Sequence, residues 1–183
     1  MNIKNKLRTA LLKEGSVKNK YGCVMVYLSI DKDKWNTFLD SIDDDDIYYE
    51  GDDFGLETEP HVTILFGLHS DVPDADVEEI IDEIGNPEIT MKGISIFENE
   101  KYDVLKFDVD SPALTKLNER FKTLPHTSNF PDYHPHMTIA YLKVGKGKEY
   151  IDKLSKLKTP EFESDKIVYS KVGGSKKNYN LTK

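Results

Sequence analysis

The sequence predicts an α+β or α/β sandwich in which a sheet carries helices on one side and an open groove on the other. Three observations carry that expectation. Short β-branched and aromatic runs alternate with amphipathic helical patterns along the chain. Most strand patterns have one apolar face and one mixed face, as a sheet buried on one side requires. Finally, Pro60-His61-Val62-Thr63-Ile64 returns as Pro135-His136-Met137-Thr138-Ile139, with four of five positions kept and each copy opening a strand.

Taken in order, residues 1–20 form an extension or short helix, with Ile3, Leu7, Ala10 and Leu11 on one face. Residues 21–183 are expected to fold as one domain, which suits a chain of 183 residues. "YGCVMVYLSI" is the first strand, and "DKWNTFLDSI" a helix capped by Asp31 or Asp33, with Trp35, Phe38, Leu39 and Ile42 at helical spacing. The acidic run 43–53 is a loop and residues 60–68 a second strand. "DVPDADVEEIIDEIG" is a helix whose first turns are acidic and which Gly85 stops. The strands "EITMKGISIFE" and "YDVLKFDVD" follow, joined by a turn at residues 99–101. A helix over 111–124 has Ser111 as N-cap and Pro112 at its first position. Then come a strand over 136–142, a helix in "GKEYIDKLSKLK" and a last strand in "DKIVYSKVGG".

Bulk properties narrow the function. The single cysteine, Cys23, excludes an internal disulfide and suits a reducing compartment. No segment reads as a signal peptide or membrane span, so a cytoplasmic protein without membrane contact is expected. The net charge of −8 argues against binding long nucleic acid, where Lys and Arg must neutralise phosphates. The charge is uneven: residues 1–100 carry 9 basic and 23 acidic side chains, residues 101–183 carry 16 and 10. A solvated acidic loop with a lysine-rich surface explains this; a local positive field for a small phosphorylated ligand is the functional reading.

Strand alternation sorts the side chains. Val62, Ile64 and Phe66 are expected on the core face, opposite His61, Thr63 and Leu65. In the later strand Met137, Ile139 and Tyr141 should face the core, opposite His136, Thr138 and Ala140. Elsewhere Tyr27, Phe97 and Lys106 fall on the mixed, groove-facing side: the two rings as base-stacking or packing residues, the lysine as a phosphate contact.

Two imidazoles across a groove supply a general base and a general acid, since both protonation states are available near neutrality. Threonine hydroxyls two residues on offer donors to a phosphate, so a phosphodiester is the expected target, with no metal or other cofactor. Metal binding by His134 and His136 is the competing reading, but Asp, Glu or Cys partners at ligand spacing are missing. "DKDKWNTFLDSI" begins like a calcium loop but lacks the glycine at its sixth position. No glycine-rich phosphate loop or nucleophile elbow is present.

"EPHVTILFGLH" and "HPHMTIAYL" resemble the paired His-x-Thr/Ser motifs of the 2H phosphoesterase superfamily, over roughly residues 21–172. Within it they look most like phage-encoded members such as the anti-CBASS nucleases. The resemblance implies a bilobal, pseudo-symmetric fold with antiparallel sheets around a central groove and helices outside. It also implies acid/base roles for His61 and His136, phosphate contacts from Thr63 and Thr138, and no metal. The function expected is hydrolysis of a small cyclic nucleotide or oligonucleotide, as in degradation of cyclic di- or trinucleotide immune signals in a bacterial host. RNA 2′,3′-cyclic phosphodiesterase or RNA end processing is the alternative, and a non-catalytic nucleotide sponge is a third reading.

Overall fold

The computed structural model describes residues 20–50, 54–127 and 132–181. The helix expected near the N-terminus lies outside these residues. In chain order the elements are β1 (Gly22–Ser29), α1 (Lys32–Leu39), β2 (His61–Leu68), α2 (Asp74–Ile84), β3 (Thr90–Glu98), β4 (Tyr102–Asp110), α3 (Pro112–Phe121), β5 (His136–Lys143), α4 (Gly147–Leu154), β6 (Glu163–Ser170) and β7 (Lys176–Asn180). A 3₁₀ turn, Asp44–Asp46, lies in the acidic loop.

Local chemistry sets the boundaries. Asp31 caps α1, its Oδ1 accepting the N–H groups of Asp33 and Lys34 at 3.1 Å each. Ser111 caps α3 by accepting the Leu114 N–H, and Pro112 occupies the first helical position, where its missing N–H costs nothing. Gly85 ends α2 at φ 72°. The strand β7 was not expected. Its sequence, KKNYN, offers a single large apolar residue, Tyr179, and a lysine-rich edge strand needs little more.

The strands form one antiparallel sheet in the order β3-β4-β5-β2-β1-β6-β7. Two halves meet in its middle, where β2 and β5 share one paired position, Val62 with Met137. Each half is broadly laddered within itself, so the sheet is bilobal with a narrow seam. All four described helices bury side chains in one core, among them Trp35, Ile81, Leu117 and Leu154, against Val24, Ile64, Phe107, Met137 and Ile167 of the sheet.

Two register shifts mirror each other across the seam. Val24 pairs with Leu65 and Met25 with Thr63, so Ile64 is the extra residue in β2. Leu105 pairs with Ala140 and Lys106 with Thr138, so Ile139 is the extra residue in β5. A bulge residue reverses the facing of everything after it. The strict alternation expected from sequence is corrected accordingly. Leu65 and Ala140 turn into the core, Phe66 is 48% exposed, and Tyr141 is drawn off the core face. The carbonyls freed at the bulges are satisfied from outside the ladder. Asn118 Nδ2 donates to Ile64 O at 2.6 Å, and the Glu57 N–H donates to Ile139 O at 2.9 Å.

Candidate active site

The seam brings the repeated motifs together. Val62 opposite Met137 fixes an antiparallel register in which His61 lies across from Thr138 and Thr63 across from His136. The two histidines and two threonines therefore occupy the corners of one patch, like residues on each diagonal. All four are half-buried, while Val62, Ile64, Met137 and Ile139 on the other face are fully buried.

Each imidazole is oriented by its own main chain. His61 Nδ1 lies 3.0 Å from the carbonyl of Glu59, and His136 Nδ1 lies 2.8 Å from that of His134. A carbonyl only accepts, so Nδ1 carries the proton in both rings and Nε2 remains for proton transfer. His134 thus contributes its backbone to the site. Among the described residues, no three His, Cys, Asp or Glu side chains are grouped to hold a metal ion.

The flanks differ. Beside His61, the Tyr27 ring stacks on the imidazole at 5.4 Å between centroids, with Lys166 Nζ 5.6 Å from the centre of the same ring. Glu57 Oε2 lies 3.5 Å from His61 Nδ1. Burial pushes the Glu57 carboxyl above its ordinary value, and the charge of a protonated His61 only partly offsets this. Burial also takes the Tyr27 hydroxyl to about 12, reinforced by Glu59 and Glu57. The Cys23 thiol, beside Thr63, is raised by burial to about 12 as well, which removes it as a nucleophile at neutral pH.

Beside His136, Phe97 packs edge-to-face at 5.0 Å, and Lys106 Nζ sits 4.2 Å over the Phe97 ring. Lys106 is only 4% exposed. Its ammonium donates to Ser95 Oγ at 2.6 Å and to the Asp108 carboxylate, which also accepts from Ser95. Burial alone would raise Asp108; the bonds from Lys106 and Ser95 outweigh it and hold the carboxyl low. Burial, with Lys106 and His61, holds His136 below the usual imidazole range, against the His134 carbonyl and Asp108.

The model of the 2′-5′ RNA ligase superfamily matches residues 31–174 of this chain. The chain belongs to that superfamily. It is a 2H-type phosphodiesterase, a hydrolase of phosphodiester bonds. No curated protein matches it. Among solved structures it is similar to Usb1 of Kluyveromyces marxianus, at 16% identity and a TM-score of 0.53, over 90% of this chain and 100% of that one. The same protein with uridine monophosphate gives 14% identity and a TM-score of 0.51 at the same coverage. Both likenesses show the fold.

Within this 2H-type fold the structure sorts the residues singled out from the sequence. His61, Thr63, His136 and Thr138 converge. Tyr27 has His61 against its ring and Lys166 over it, so it braces the histidine more than it offers a free platform. Phe97 is 39% exposed beside His136. Lys106 lies in the patch with its ammonium already bonded to Ser95 and Asp108. Sequence reading missed Glu57, which lies in an acidic stretch and is distinguished only by its bonds. It also missed Phe66 and Tyr141, hidden by the bulges; Tyr141 packs against Phe54 at 5.0 Å and Tyr102 at 5.5 Å.

Proposed function

We propose that this chain is a metal-independent phosphodiesterase that processes RNA ends, opening 2′,3′-cyclic phosphates by two-histidine acid/base catalysis. The observation that carries the reading is the four-cornered patch on the Val62–Met137 pair: two imidazoles with their Nε2 atoms available, and two hydroxyls between them. One imidazole takes a proton from water as the water oxygen bonds to phosphorus. The other gives a proton to the ribose oxygen as its bond to phosphorus breaks. Thr63 and Thr138 donate to the phosphate oxygens, charge-assisted bonds worth roughly 1.5–3 kcal/mol each. The ribonucleotide held by the Kluyveromyces marxianus Usb1 supports an RNA-type ligand on this fold.

A second reading, a cyclic di- or trinucleotide as in anti-CBASS nucleases, is favoured by the net charge of −8, which disfavours long polyanions. One experiment separates the two. The protein is incubated in EDTA with an oligoribonucleotide ending in a 2′,3′-cyclic phosphate and, separately, with cyclic di- and trinucleotides, and products are weighed by mass spectrometry. The RNA end should gain the mass of one water and the cyclic oligonucleotides should persist. Linearised cyclic oligonucleotides with an untouched RNA end would move the substrate to the second reading. Ligand bound and recovered intact would make the chain a sponge. Activity lost in EDTA and restored by a divalent ion would overturn the metal-free mechanism.

A further inference from the structure

The two motifs are nearly identical in sequence and anchor their rings in the same way, so nothing within them says which histidine gives a proton and which takes one. That difference has to come from their neighbours, and the neighbours are unlike. We propose that Glu57 is a positioning residue that makes His61 the proton donor, while the Lys106–Asp108 pair leaves His136 as the proton acceptor. The inference rests on the two-histidine reading above and adds a direction to it.

Glu57 is placed by its main chain. Its N–H donates to Ile139 O at 2.9 Å and its carbonyl accepts the Trp35 indole N–H at 2.9 Å, which ties it to the β5 bulge and to the core. Its Oε1 accepts the Glu59 N–H at 2.8 Å, which turns Oε2 toward the imidazole. The groups facing His61 are the Glu57 carboxyl, the Glu59 carbonyl, the Tyr27 ring from β1 with Lys166 of β6 beyond it, and Thr138 and His136 from β5. Charge on His61 therefore meets the Glu57 carboxyl at 3.5 Å, whereas the Lys166 ammonium lies over the Tyr27 ring.

His136 meets the opposite arrangement. Its cross-strand neighbour is Asp108 of β4, whose carboxylate is already bonded to Lys106 and Ser95. Lys106, the Phe97 edge from β3, the His134 carbonyl, Thr63 of β2 and His61 also face it. A second positive charge there would sit beside a buried ammonium, so the neutral ring is favoured. The depression of His136 noted above agrees with this geometry.

The test is the pH dependence of kcat/KM on the substrate identified above, with ring ¹⁵N shifts of the wild-type enzyme. Glu57→Gln keeps the shape and removes the charge. It should move the alkaline limb, where the acid loses its proton, down by about one pH unit, the low end of what an adjacent ion does to its partner. The acid limb should stay. Asp108→Asn strips Lys106 of its counter-ion and should move only the acid limb, also downward. In wild type, His136 should be the first of the two rings to become neutral as pH rises. Glu57→Gln moving the acid limb, or no limb, would overturn the assignment, as would His61 becoming neutral first. Should Glu57→Gln not fold, the ring shifts decide alone. A wild-type profile without a bell would instead refute the two-histidine reading on which the inference rests.

Discussion

On the proposed mechanism His61 and His136 divide one reaction between them, so each should be indispensable in its own way. His61→Ala and His136→Ala should each lower turnover by roughly 10² to 10⁴, the usual worth of one general acid or base. The double variant should lose far less than the product of the two, because the groups act as a unit; single-turnover kinetics on all three proteins checks this. The pH profile follows from His136. Burial lowers its proton affinity in the folded chain, so as a base it becomes active on the low-pH side of the ordinary imidazole value of about 6.5. The same shift has a stability consequence. Its contribution is fully present above the unfolded value of about 6.5 and is lost as pH falls, because the unfolded chain takes up a proton that the folded one resists. Urea midpoints should therefore drop between pH 7 and 5, less steeply in His136→Phe than in wild type.

Two bulges break a simple alternation on either side of the seam. Residues before the bulge were read correctly because period two is all that a short strand needs: Val62 and Met137 face the core, His61 and His136 the opposite face. The bulges themselves were illegible. An isoleucine that opens a bulge looks like an isoleucine that continues a strand, and only the partner's register tells them apart. Asn118 carries the cost of one such bulge, donating to the Ile64 carbonyl from a position 3% exposed. Asn118→Ala leaves that carbonyl without its side-chain donor and should destabilise the fold by roughly 1–3 kcal/mol. The urea midpoint should fall accordingly, with kcat falling further than that of an equally destabilised core variant remote from β2, since Ile64 follows Thr63. Equal losses of activity in both variants would mean that the bulge does not hold the threonine in place.

Across the whole molecule the sequence made the α+β architecture legible because amphipathic helices and one-sided strands leave few other ways to bury their apolar faces. The order of strands was not legible, since the seam depends on one pair, and the lysine-rich β7 left almost no apolar trace. Glu57 escaped for a related reason: its importance lies in what clamps it, and composition cannot report that. The charge distribution bears on substrate size. With a net charge of −8, only the phosphates in the central patch should meet compensating groups. The salt slope of log K for single-stranded RNA should then be on the order of −1, and it should not steepen as the RNA is lengthened. A slope that grows with length would reveal an extended cationic track.

The pairing of each Nδ1 with a carbonyl two residues earlier has a consequence of another kind. In many acid/base sites a separate side chain aims the imidazole, so moving the histidine elsewhere loses the aim. Here the aiming group is the main chain just before the strand, His61 with Glu59 and His136 with His134, and it travels with the strand wherever the strand goes. A six-residue cassette of this sort supplies half of the proposed site, and a whole one on being copied and set beside itself. Glu59–Ile64 and His134–Ile139 are that cassette written twice, and the residues free to diverge around them are the ones that would give the two copies different work.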